Sequence, residues 1–189
     1  MKITTTKIND IHVISPRIYK DDRGYFFESF NQIDFKKKFP HIQFCQENES
    51  RSKFGVLRGL HYQLPPKAQT KLVRVIKGKV LDIAVDIRKG SPSFGQYVSI
   101  ELSEENKNQL LIPRGFAHGF GVLSTYAIFS YKVDSAYDKN LERGIIYNDI
   151  DLNIDWKLKD SQLELSSKDT KLTLFSEAQV FEYSKNLYD

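Results

Sequence analysis

The sequence predicts an all-β double sheet, a sandwich or barrel with a few short helical turns. Three observations carry that prediction. Strand-like runs recur at a spacing of about 8–12 residues, with turn residues between them. Phe and Tyr are abundant, at 13 and 10, and both favour strands. Almost no segment shows the 3.6-residue apolar period of a helix.

The elements follow in chain order. Ile11 to Ile18 reads as extended, and Asp21-Asp22-Arg23-Gly24 as a turn, because Asp and Gly tolerate turn backbone. Tyr25 to Phe30 reads as an aromatic strand. Gln32 to Phe39 predicts one short helix, stopped by Pro40. Leu72 to Ile76 is β-branched and strand-like. Val80 to Ile87 alternates, with Leu81, Ile83, Val85 and Ile87 on one face. Tyr97 to Leu102 is a further strand, followed by a polar turn capped by Ser103. Leu110 to Ile112, Tyr126 to Val133 and Gly144 to Tyr147 complete the strand set. Beyond Trp156 the chain turns polar and irregular, with a modest helix expected over Ser176 to Tyr183.

At 189 residues the chain suits one domain with a real core, so residues 1–189 are expected to form a single unit. The lone Cys45 excludes an internal disulfide and is expected to be a small buried residue. No apolar run approaches the ~18 residues of a membrane-spanning helix. Met1 to Lys7 lacks an apolar signal region. These features favour the cytoplasm and no membrane partner. The net charge is +4, yet acidic residues are interleaved with the lysines, so no basic stripe points to nucleic acid.

Chemistry concentrates in Gly59-Leu60-His61-Tyr62-Gln63 and in Lys71, at the head of a strand. A proton acceptor and a cation are separated by a stiff stretch containing Pro65 and Pro66. A base and a fixed cation on a rigid scaffold suit removal of a proton next to a carbonyl, with stabilisation of the enolate. Imidazole is apt for the base because it titrates near neutral pH. Asp82 interrupts an apolar strand, so it is expected to be buried with a partner; an ion pair with Lys71 is the expectation.

Several motifs occur in a fixed order: Asp22-Arg23-Gly24-Tyr25-Phe26-Phe27-Glu28, Gln46-Glu47-Asn48, Val56 to Gln63, and Lys71-Leu72-Val73-Arg74. Val85-Asp86-Ile87-Arg88, Ser91 to Gly95, Ile112 to Phe120, and Tyr147-Asn148-Asp149 follow. With these the chain resembles the dTDP-4-dehydrorhamnose 3,5-epimerases, sugar-nucleotide epimerases of the cupin-type jelly-roll β-barrel fold. The resemblance runs from about Ile11 to Asp169 and leaves 170–189 as a C-terminal extension. It implies a nucleotide-sugar substrate, a dTDP-linked 4-keto-6-deoxyhexose inverted at C3 and C5 without a cofactor. It also implies a homodimer whose N-terminal strands are exchanged.

The resemblance assigns roles residue by residue. His61 is the base, Asp169 the carboxylate that holds it, Lys71 the cation beside the enolate, and Tyr131 the acid. A phenol with a pKa near ~10 holds its proton at neutral pH and can donate it. Tyr137 matches the aromatic that stacks on the thymine. Arg58, Arg23 and His118 match contacts to the nucleotide portion, and arginine suits bidentate phosphate binding. Glu28, Gln46, Asn48, Glu142 and Lys168 occupy further ligand positions, and Arg23 and Glu28 are expected to reach a neighbouring subunit's site. Arg74 and Arg88 are expected to be structural or solvent-facing.

Three rivals stay open. One is an epimerase that inverts only C3 or only C5. A second is a cupin that binds a nucleotide sugar without turnover. The third is a metal-dependent cupin, disfavoured because Tyr62 and Gln63 follow His61 where paired histidine ligands would stand. No metal is expected.

Overall fold

The structure, a computed structural model, describes residues 1–188. Its strands are β1 (Lys2–Thr5), β2 (His12–Ser15), β3 (Ile18–Asp21), β4 (Gly24–Phe27), β5 (Gln46–Lys53), β6 (Leu57–Gln63), β7 (Lys71–Lys77) and β8 (Lys79–Asp86). Then come β9 (Arg88–Lys89), β10 (Tyr97–Ser103), β11 (Gln109–Ile112), β12 (Phe116–Val122), β13 (Tyr126–Val133), β14 (Glu142–Gly144) and β15 (Phe181–Glu182). One helix, α1 (Gln32–Lys38), lies between β4 and β5. Among the described residues, no helix is long and apolar enough to cross a membrane.

Two large antiparallel sheets face each other, the arrangement of a cupin-type jelly roll. One has the order β1-β2-β11-β7-β13-β5, the other β10-β8-β12-β6-β14. Val73, Val75, Phe129 and Ile112 from the first sheet meet Val80, Ala84, Val98 and Phe120 from the second in a shared core. On the outer face of the six-stranded sheet, Phe35 of α1 and Ile42 cover Ile14, Leu72 and Leu111. Asn31 caps α1, its side chain accepting from the Ile33 and Asp34 amides.

The C-terminal third wraps the outer face of the five-stranded sheet. Leu81, Ile83, Val85 and Ile87 share one face as the alternation predicts, but that face packs against Trp156, Leu152 and Phe181 outside the barrel. The opposite register of β8 (Val80, Asp82, Ala84) points into the interior. Both faces are buried, so alternation separates two apolar environments here rather than core from solvent.

Several elements depart from the sequence reading. The aromatic strand at Tyr25 ends at Phe27, and the Gly144–Tyr147 strand lies instead at Glu142–Gly144, with Ile145 in an isolated bridge to Thr173. The Ser176–Tyr183 helix is absent. A 3-10 turn, Phe175–Glu177, leads into β15, which pairs parallel to β9. Phe181 is buried, and its amide bonds the Ile87 carbonyl, so docking on the sheet overrides local helix preference. β5, Gln-Glu-Asn-Glu-Ser-Arg-Ser-Lys, carries no apolar side chain and escaped the strand pattern; eight register pairs with β13 hold it as an edge strand. Cys45 is exposed, not buried, because it sits just before that edge strand, at the surface beside Val133.

Gly59 and Gly119 let β6 and β12 approach closely. Gly59 has φ of +135°, and a Cβ there would stand 2.5 Å from the Gly119 Cα. Gly59→Ala combines left-handed strain with backbone overlap and is expected to cost about 3 kcal/mol. Urea denaturation checks this; an unchanged midpoint would contradict it.

Candidate active site

β6 and β12 carry His61 and His118 as direct register partners, with an irregularity just beyond, between His118 and Phe120. Both imidazoles line a cavity of about 300 Å³ between the two sheets. Lys71 from β7, Tyr131 from β13, Arg58, Asn48, Lys168 and Asp169 complete its functional lining. A larger cavity of about 400 Å³ lies against the β3–β4 hairpin, but it contains no histidine or lysine. His61, Lys71, Tyr131 and Asp169, the groups assigned to the chemistry, meet in the smaller one.

Asp169 is 108 residues from His61 and only 4% exposed, yet its Oδ1 lies 2.7 Å from His61 Nε2. Ser166 Oγ donates to Asp169 Oδ2 at 2.8 Å and accepts from the Asp169 amide at 3.1 Å. Burial pushes the Asp169 carboxyl up, but the bonds from His61 and Ser166 and the neighbouring cations outweigh it and leave it below its ordinary value. The carboxylate fixes the imidazole with its proton on Nε2, which leaves Nδ1 as the basic nitrogen.

Lys71 Nζ donates to the His61 carbonyl at 3.4 Å. Desolvation lowers its pKa to about 8, against the opposing pull of Asp82 and Glu142. The expected Lys71–Asp82 ion pair does not form. Asp82, fully buried, is bound by His118 Nε2 at 3.0 and 2.9 Å. Asp82 opposes Phe120 on the adjacent strand, which puts His118 within reach along the same inner face; Lys71 stands on the opposite sheet. Asp82 thus acts on Lys71 as a charge across the barrel. Burial raises the Asp82 carboxyl and lowers His118, so His118 is neutral and donates.

Tyr131 is half-buried. Desolvation raises its pKa above 10.0, with Arg58 pulling the other way, so the phenol keeps its proton. Arg58 Nε donates to Ser52 Oγ at 3.1 Å.

The other predicted ligand residues divide. Gln46 Nε2 donates to Asn48 Oδ1 at 2.8 Å. Tyr137 is 54% exposed, with its hydroxyl 2.7 Å from Glu142 Oε2, and Lys168 also donates to that oxygen. Arg23 and Glu28 are not brought to this cavity. The Arg23 side chain is 90% exposed and pairs with Asp21 inside its own hairpin, while Glu28 bonds Asn31. Arg88 is structural, tied to Asp86 and Asp10.

Gln63 supports the site in a way its place in the Gly59–Gln63 motif does not by itself reveal. It is 3% exposed, and its amide donates to the Lys67 and Ala136 carbonyls and accepts from the Asp138 amide. It pins the loop carrying Tyr137 to the strand carrying His61. A polar residue at the end of an apolar strand, two positions past a candidate base, was the available signal. Among the described residues, no three His, Cys, Asp or Glu side chains converge as a metal-ligand set.

Comparison with known proteins gives a consistent result. A family model described as dTDP-4-dehydrorhamnose 3,5-epimerase matches residues 5–177. A dTDP-4-dehydrorhamnose 3,5-epimerase of Pseudomonas aeruginosa is 52% identical over 182 residues, 96% of this chain and 99% of the relative. The crystal structure of a dTDP-6-deoxy-D-glucose-3,5-epimerase of Legionella pneumophila, in complex with dTDP-4-keto-L-rhamnose, superposes with a TM-score of 0.93 at 46% identity, covering 97% of this chain and 99% of that one. A 3'-monoepimerase of Streptomyces bikiniensis, in complex with dTDP-quinovose, reaches a TM-score of 0.85 at 30% identity, covering 91% and 87%.

Proposed function

Because the chain belongs to the dTDP-4-dehydrorhamnose 3,5-epimerase family, we propose that it converts dTDP-4-dehydro-6-deoxy-D-glucose to dTDP-4-dehydro-L-rhamnose with the groups gathered around His61. One observation carries the assignment of roles. His61 rises from the five-stranded sheet, while Tyr131 rises from the six-stranded sheet across the cavity. A sugar between the sheets meets a base on one face and an acid on the other, as inversion requires.

The C4 ketone acidifies the hydrogens on C3 and C5. His61 Nδ1 takes one of them, and Asp169 stabilises the imidazolium that forms. The Lys71 ammonium neutralises charge on the enolate oxygen. Tyr131 returns a proton to the carbanion from the opposite face; the imidazolium and phenolate so formed exchange protons with solvent and are reset, and the sequence repeats at the second carbon. No electrons are exchanged with a partner, so the reaction as written uses no cofactor. Arg58 and Asn48 hold the nucleotide part, aided by His118 Nδ1, and the Tyr137 ring stacks on the base. In a homodimer the exposed β3–β4 hairpin carries Arg23 and Glu28 to the neighbouring site; Tyr25 and Phe26, 56% and 69% exposed, are the surface it would bury.

Tyr131→Phe tests the division of labour. Inversion is expected to fall by about 10³-fold, while His61 still exchanges substrate hydrogen with deuterated water and returns it to the same face. Proton NMR reads both. Loss of exchange together with inversion would contradict the assignment of Tyr131 as acid only. A single inversion at C3 would use the same groups, and the likeness to a 3'-monoepimerase keeps that second reading in view.

A further inference from the structure

Glu142 has a geometry that a simple ligand contact does not require. Its side chain is 15% exposed at the edge of the five-stranded sheet. One of its oxygens, Oε2, accepts both from the Tyr137 hydroxyl and from Lys168 Nζ. Burial would raise its pKa, but those two bonds hold it below the ordinary value, so it is ionised. Lys168 directly precedes the 3-10 turn Asp169–Lys171, and Asp169 holds His61. On the other side, Gln63 fixes the backbone around Tyr137, through Ala136 and Asp138. An unbroken chain of contacts therefore runs from an exposed aromatic ring to the carboxylate that orients the base.

We propose that Glu142 is a positioning residue that couples the nucleobase-stacking ring of Tyr137 to the Lys168–Asp169 turn, so that seating the base aligns His61. The proposal rests on the functional reading above. A base settling on the ring fixes the hydroxyl against Glu142. Glu142 then holds Lys168, and the turn carrying Asp169 loses freedom. The Tyr137 hydroxyl contributes nothing to stacking, so it separates coupling from recognition. Shared hydrogen-bond networks of this kind give non-additive mutational effects, and charge-assisted bonds carry most of the linkage.

The test uses Tyr137→Phe, Glu142→Gln and the double variant, with dTDP affinity by calorimetry and steady-state turnover of dTDP-4-dehydro-6-deoxy-D-glucose. Tyr137→Phe is expected to leave dTDP affinity within about twofold while kcat falls about tenfold, and the double variant is expected to fall no further than Glu142→Gln alone. Thermal melting of each variant guards against misfolding, and Tyr137→Phe carries the test if Glu142→Gln proves unstable. Weakened dTDP binding with kcat unchanged, or independent effects that multiply in the double variant, would overturn the coupling. Wild-type protein that binds dTDP but inverts neither carbon would instead remove the functional reading itself.

Discussion

Replacing His61 with asparagine is expected to lower turnover by about 10³-fold or more while the protein stays folded, because general base catalysis contributes on that scale. The asparagine amide ends near the place of Nδ1 and falls short of Asp169, so the buried carboxylate keeps the Ser166 hydroxyl as its side-chain donor. His61 belongs to the cavity wall, with its side chain 25% exposed, so its loss opens little void in the core. Steady-state kinetics and thermal melting measure the two halves of this expectation. Native melting with near-normal turnover would remove His61 as the base.

Lys71 carries the second large effect. Its ammonium is held at a pKa of about 8 by desolvation. The protonated form is the useful one in the proposed reaction, where it would neutralise the enolate oxygen. As pH rises through about 8 the charge is lost, so kcat/KM should fall on the alkaline side with a midpoint there. Tyr131 does not produce that limb, because its pKa is raised above 10.0. Lys71→Met should abolish the limb and lower kcat by about 10²–10³-fold, the usual scale for removing one electrostatic stabiliser. A pH profile of wild type and variant checks both. An alkaline limb that persists in the variant would assign it to another group.

Lys71 also illustrates how far the sequence could be read. Its place at the head of a strand is legible from Leu72-Val73-Arg74-Val75-Ile76, and it does begin β7. Asp82 is legible as a buried carboxylate in an apolar strand. Its partner is not, because Lys71 and His118 are both nearby cations or donors and only the strand register chooses between them. Asp169 shows a different limit. Ser166-Ser167-Lys168-Asp169 reads as solvated loop, and its bond to His61 spans 108 residues. Only the resemblance pointed to it.

The fold follows the same division. β8, β10 and β13 are rich in β-branched or aromatic residues and β11 is an apolar run, and each lies close to its expected place. β5 is wholly polar, because its inward residues Asn48, Ser50 and Ser52 face the cavity side of the barrel and its outward residues face solvent. A strand that lines a polar site lacks the apolar face by which strands are recognised. The C-terminal wrap was likewise illegible: Trp156 and Phe181 are isolated apolar residues whose partners lie on a distant sheet. Their role is set by tertiary contact rather than by local period.

In the proposed reaction one cavity, with base and acid on opposite sheets, inverts two carbons of the same sugar. Proton NMR of the purified protein with dTDP-4-dehydro-6-deoxy-D-glucose in deuterated water tests it most directly. The expected result is deuterium at both C3 and C5 in a product of L-rhamno configuration. Deuterium at one carbon only, or a substrate that binds and exchanges at neither, would contradict it.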